Sequence, residues 1–209
     1  SEELVDVSII FDKATSALTE LRSQGKIEKA SLSGDIYQRL VAVPLASVRS
    51  VFEADITDHI ADTVLKLVKD KIIRTGITHG DFSVSNFLGL TGSAAPALID
   101  WEFGEAKGVL GLDEISLFAS LGRELGYFES TVDCVKEIMS GMNSEFGQEF
   151  RNSMERTLIE PTNNNGSHDA DWACLGTLYW LDHVKKQLQG PNRFDRKWLT
   201  ENVKAFSEI

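Results

Sequence analysis

The chain has 209 residues, 42% hydrophobic and 25% charged, enough for one well-buried core with at most a helical appendage. Its 21 Lys and Arg against 32 Asp and Glu give a formal charge of −11, which argues against nucleic acid or an anionic membrane as a main partner. The charge suits solubility and is compatible with a cationic small molecule; the absence of any run of about 18 apolar residues predicts no membrane span.

The spacing of Ile10, Ala14, Ala17, Leu18 and Leu21 predicts a helix over 9–24, with Gly25 to end it. The N-terminal Ser1-Glu2-Glu3-Leu4 lacks the basic-then-apolar pattern of a signal peptide, and Cys134 and Cys174, which read as reduced, lead to the expectation of a cytoplasmic protein. Residues 26–50 carry a turn at Ser33-Gly34-Asp35, a stretch from Ile36 to Val43 that reads as helical or extended, and Pro44 as an interruption. Ile60, Val64, Leu67, Val68 and Ile72 predict a second helix over 55–74, with Gly76 as its C-cap.

That helix leads into Ile77-Thr78-His79-Gly80-Asp81-Phe82-Ser83-Val84-Ser85-Asn86, and later Leu98-Ile99-Asp100-Trp101-Glu102. Residues 86–90 and 97–99 read as the arms of a hairpin turning at 91–96. Antiparallel strands lie about 5 Å apart, so a hairpin can return Asp100 to the side of Asp81 and Asn86. Three oxygen-bearing side chains then converge. Magnesium prefers oxygen ligands and needs only one or two from protein when phosphates supply others. Asn86 and Asp100 can hold such an ion, and Asp81 can accept a proton from an attacking hydroxyl. A plain alternative is that Asp81 and Asn86 are turn residues bonding nearby backbone.

His79-Gly80-Asp81, then Asn86, then Ile99-Asp100-Trp101-Glu102 resembles the aminoglycoside phosphotransferase and choline kinase group, small-molecule kinases with a protein-kinase-like fold. The resemblance covers the catalytic segment closely and the helical remainder loosely. It implies Asp81 as catalytic base and His79 as the catalytic-loop residue that positions it. It implies Asn86 and Asp100 as the ligands of Mg2+ bound with ATP or another nucleoside triphosphate. The implied acceptor is a hydroxyl on an aminoglycoside, sugar or amino alcohol. The fold class expected is α+β, mostly α-helical: the large C-terminal lobe of the kinase-like fold. Its parts would be a helical lead-in over 1–76, the catalytic loop, hairpin and metal site over 77–105, and a helical subdomain over 106–209.

Downstream, the glycines of 101–108 read as a loop. Gly111-Leu112-Asp113 opens a helix to Leu125 in which Asp113 reads as the N-cap. The resemblance offers Asp113 a second role, as anchor of the catalytic loop. Helices are expected over 130–142, 144–159, 170–189 and 196–207, with a polar loop over 161–169. Cys134 and Cys174 fall inside apolar helical patterns and read as reduced core residues. Asp169 and Asp171 read as helix-start charges, with contact to a cationic acceptor as the alternative. His59, His168 and His183 show no partner pattern.

The resemblance also implies a smaller lobe before His79, with a five-stranded sheet, a glycine-rich phosphate loop and a strand lysine. No Gly-x-Gly occurs before His79, and Lys13, Lys26 and Lys29 lie in helical or polar contexts. Either the chain is a piece of a longer kinase or the small lobe is lost. Nucleotide affinity and activity of the chain alone are therefore expected to be weak. Two other functions stay open: a non-catalytic kinase-like binding or scaffold domain, and a metal-dependent hydrolase using Asp81 and Asp100.

Overall fold

A computed structural model describes residues 7–89, 97–158, 171–189 and 196–208. The fold is α+β and mostly helical. Helix α1, Val7–Ser23, buries Ile10, Phe11, Ala14 and Leu18 on the face its spacing predicts. Strand β1, Glu28–Ser31, follows. A continuous helical run then comprises α2 (Gly34–Tyr37), a π turn (Gln38–Ala42) and α3 (Val43–Arg49). Pro44 does not interrupt it. Proline offers no N–H to the carbonyl four residues back, and the wider π turn just before it absorbs that gap.

Helix α4 spans Ala54–Val68 and stops eight residues before Gly76. The chain then passes through Asp70 in the left-handed region (φ 58°) and enters β2, Ile72–Thr78. The expected helix to residue 74 is thus corrected. Ile72, Ile73, Thr75, Ile77 and Thr78 form a β-branched run, and Ile72 is 71% exposed where a helical stripe would have buried it. Gly76 lies inside the strand instead of capping a helix.

The short hairpin is present: β3 (Phe87–Leu88) pairs antiparallel with β4 (Ala97–Leu98), Phe87 opposite Leu98. Its expected turn at 91–96 lies outside the described residues. The glycine-bearing stretch after Asp100, expected as loop, contains β5 (Glu105–Val109). Strand β5 pairs with β2, giving a three-stranded antiparallel sheet in the order β1-β2-β5. Gly108 is there for close approach: a Cβ would lie 1.9 Å from the Thr78 hydroxyl oxygen.

Five further helices complete the molecule among the described residues: α5 (Leu112–Glu124), α6 (Thr131–Met139), α7 (Glu145–Leu158), α8 (Trp172–Gln189) and α9 (Arg196–Ser207). Helix α7 lies against α1, and α8 runs past α3, α4, α5 and α6. Phe118 sits between Phe146 and Phe150 at ring separations of 4.9 and 4.4 Å, and Trp180 stacks on Phe206. Cys134 and Cys174 are free and buried, as expected. The loop over 161–169 lies outside the described residues.

One charged pair sits within this apolar core. Both terminal nitrogens of Arg22, on α1, donate to the Glu114 carboxylate on α5, at 2.5 and 2.8 Å. Arg22 is 4% exposed and Glu114 fully buried. Burial opposes the Arg22 charge, but the Glu114 and Asp113 carboxylates outweigh it and hold the guanidinium pKa raised. Breaking one half of a buried pair leaves the other charge uncompensated. Glu114→Gln is therefore expected to cost about 3 kcal/mol in urea unfolding, and the apolar double variant Arg22→Met/Glu114→Leu to recover most of it.

Candidate functional site

Strand β2 ends at Thr78, and the next three residues make a tight turn in which backbone groups are tied down individually. The His79 N–H donates to one Asp113 carboxylate oxygen and the Gly80 N–H to the other, each at 2.8 Å. Asp113 therefore anchors the loop from the first turn of α5. It is not the cap: Gly111 (φ 104°) is the N-cap, and its N–H donates to the Glu114 carboxylate at 3.2 Å. Burial pushes the Asp113 carboxyl upward, as does neighbouring Glu114, against the two N–H bonds and Arg22.

Gly80 is required by its surroundings. Its φ is 80°, and a Cβ there would meet the Phe103 carbonyl oxygen at 2.1 Å. That proximity seats the segment after Asp100 directly on the loop.

The His79 ring joins the two halves of the motif. A carbonyl can only accept, so Nε2–H donates to the Ile99 carbonyl at 2.8 Å. Trp101 packs on the ring at 4.6 Å, and Phe82 meets it edge-on at 6.1 Å. His79 is fully buried, and its Nδ1 has no hydrogen-bond partner. The geometry makes it a positioning residue beneath the surface, with no face toward a bound molecule.

Asn86 ties the remaining pieces together. Its side-chain amide donates to the Asp81 carboxylate at 2.9 Å and to the Asp81 carbonyl at 3.0 Å. Its own carbonyl accepts the Ile99 N–H at 3.0 Å. Asp100 follows immediately, exposed and in the left-handed region (φ 62°), a conformation Asp tolerates better than most residues. Asp81 and Asn86 are thus in direct contact, and Asp100 leaves the hairpin one residue beyond the backbone bonded to Asn86. With its amide nitrogen committed, Asn86 keeps its side-chain oxygen for a ligand. That oxygen and the Asp100 carboxylate are hard donors suited to Mg2+ completed by water and phosphate oxygens. Among the described residues no group of three or more His, Cys, Asp or Glu side chains is placed to hold a metal, so a cage made wholly of protein is not offered.

Beside Asp81 opens a cleft of about 380 Å3, within the range of small-molecule sites. Its far wall is α8, which supplies Tyr179, Asp182, His183, Lys185 and Lys186, with Ser116, Ser120 and Arg123 from α5. Lys186 reaches across: its ammonium donates to the Gly80 carbonyl at 3.0 Å, pairs with Asp182 at 2.8 Å and lies 5.1 Å from the centre of the Phe103 ring. Sequence reasoning missed these residues. The available signal was Tyr179, Asp182, His183 and Lys186, polar groups three and four apart on one side of an otherwise apolar helix. His183 has partners after all, meeting Thr131 Oγ1 at 3.2 Å and Gln187 at 3.5 Å. Asp171 is committed elsewhere: it pairs with Lys71 and accepts the Cys174 N–H at 3.0 Å, starting α8. Asp169 and His168 lie outside the described residues, and His59 is exposed on α4.

No family model, no curated protein and no solved structure matches this chain.

Two predictions rest on this geometry. Asp113→Asn replaces an acceptor for one N–H with a donor and is expected to lower stability by about 2 kcal/mol in denaturant unfolding. His183 is pushed down to about 4, first by burial and then by Arg123. Its unfolded value lies near 6.5, so between these values the unfolded chain binds the extra proton. The contribution is complete above about 6.5 and lost as pH falls toward 4; a melting-temperature profile should be flatter over that window in His183→Gln than in the parent.

Proposed function

We propose that the chain is the catalytic large lobe of an ATP-dependent phosphotransferase acting on a hydroxyl of a small molecule. The proposal extends the fold from α+β to the large lobe of a kinase-like fold. The observation that carries it is the set of hydrogen bonds running from Asp81 to Asn86, from Asn86 to Ile99 and from Ile99 to His79. These keep Asp81, on the wall of the cleft, in contact with Asn86, and pair the Asn86 backbone with the residue before Asp100.

In this reading the acceptor enters the cleft and its hydroxyl proton would pass to the Asp81 carboxylate as its oxygen attacks the terminal phosphorus, the bond from that phosphorus to the bridging oxygen breaking and ADP departing with that oxygen. Asn86 keeps the carboxylate aimed, and Lys186 and Asp113 hold the loop backbone on either side of Gly80. Magnesium, when bound by Asn86 and Asp100, supplies charge neutralisation at the transferring phosphoryl group. Sugars, amino alcohols and aminoglycosides are the acceptor classes the motif suggests. The sequence before His79 holds no Gly-x-Gly, and Lys29, which falls on strand β1 and not in the polar loop its context suggested, is exposed there, so no step is assigned to a phosphate-gripping group. That same feature favours the second reading, a non-catalytic binding domain of this architecture.

The test is release of ADP from MgATP over an acceptor panel. Asp81→Asn should lower turnover about a thousandfold while the circular dichroism spectrum and melting temperature stay unchanged. Turnover equal to that of the parent contradicts the base assignment. A protein whose melting temperature does not respond to MgATP and which releases no ADP fits the binding-domain reading instead.

A further inference from the structure

We propose that the cleft beside Asp81 selects a small hydroxylated molecule carrying an anionic group, a carboxylate or a phosphate, with Arg123 and Lys185 as the residues that recognise it. This deepens the phosphotransferase reading and, as a statement about the acceptor, rests on it. Once the cleft's own groups have paired, positive charge is left over. Four carboxylates line it, and each is engaged. Asp81 accepts from the Asn86 amide, Glu105 pairs with Arg39, Asp113 accepts two backbone N–H groups and Asp182 holds Lys186.

The cations are not matched in the same way. Lys186 is spent on Asp182 and the Gly80 carbonyl. Arg123 donates only its Nε–H, to the Ala119 carbonyl at 3.3 Å, and meets no carboxylate among the described residues. Its two terminal nitrogens remain, the fork that suits a carboxylate or phosphate. Lys185 lines the same cleft, half-buried, with no ion-pair partner among the described residues. A chain of net charge −11 therefore leaves two uncommitted cations facing one small cleft. For an amine-bearing acceptor this arrangement is repulsive. Asp81 would be the only carboxylate not already satisfied by a charged or paired donor, and it is needed for the hydroxyl.

The experiment is calorimetric titration of the full chain with five probes: gluconate and glycerol 3-phosphate as anions, glucose as neutral, choline and kanamycin as cations. The anions should bind about tenfold or more tightly than glucose, and the cations most weakly. Comparison of gluconate with glycerol 3-phosphate separates carboxylate from phosphate recognition. Arg123→Gln and Lys185→Gln should each weaken binding of the preferred anion by about tenfold. Lys66→Gln, an equal change of charge on the exposed face of α4, should leave it unchanged. Both recognition residues have solvent-accessible side chains, and melting temperatures confirm that each variant is folded. Preference for choline or kanamycin, equal binding of all classes, no binding of any, or anion binding indifferent to both substitutions overturns the proposal. The outcomes separate the two claims. Anion binding without phosphoryl transfer would remove the phosphotransferase reading and keep the cleft's ligand class. Transfer preferentially to choline or kanamycin would keep the activity and overturn this inference.

Discussion

The buried carboxylate of Asp113, receiving the backbone N–H groups of both His79 and Gly80, is the contact on which the candidate site depends. Two adjacent N–H groups pointing at one carboxylate fix the loop's direction as it leaves β2, and so fix where Asp81 is presented. The cost is a carboxylate placed in the core. That cost is offset by the two N–H bonds and by Arg22, whose guanidinium also satisfies Glu114 one residue on. Arg22 lies 92 residues from Glu114 in sequence, so α1, far from the motif along the chain, supports the site from within the core. The ion pair, the anchor and the loop form one chain of compensated charges from the core to the cleft.

Helices were legible where apolar residues repeat at three and four: α1, the body of α4, and α5 to α9 all lie where their stripes place them. The hairpin was legible because two short apolar arms flank a Gly-Ser-Ala-Ala-Pro sequence of the composition turns favour. The misreadings share a cause. Ile72 continues the helical stripe of α4 by spacing, yet the β-branched run it opens belongs to a strand whose partner comes much later in the chain, with Thr75 opposite Val109 and Gly76 opposite Gly108. Strand β5 was hidden because Gly104 and Gly108 read as loop, whereas Gly108 serves close packing against Thr78. Pro44 read as a break because the compensating π turn has no sequence signature.

The candidate site divides in the same way. Asp81, Asn86, Asp100 and His79 lie within a short segment, and their spacing was enough to suggest that they meet. Arg123, Lys185 and Lys186 come from helices far along the chain, and only packing brings them to the loop. Asp113 was visible but read as a cap, because Asp at a helix start is usually one. The distinction needed a fact no single sequence contains: Gly111 already holds the cap position, which frees the Asp113 side chain for the N–H groups of the turn that follows β2.

In the proposed phosphotransferase the hairpin lets Asn86 and Asp100 share a cation beside Asp81, and paramagnetic relaxation would locate such an ion. Substoichiometric Mn2+, a hard-oxygen substitute for Mg2+, is added to the 15N-labelled chain and the amide resonances are followed. A shared ion broadens residues 80–87 and 99–101 selectively, and Asp100→Asn abolishes the effect. Broadening centred on other carboxylates, with those two segments unaffected, would contradict a shared ion there.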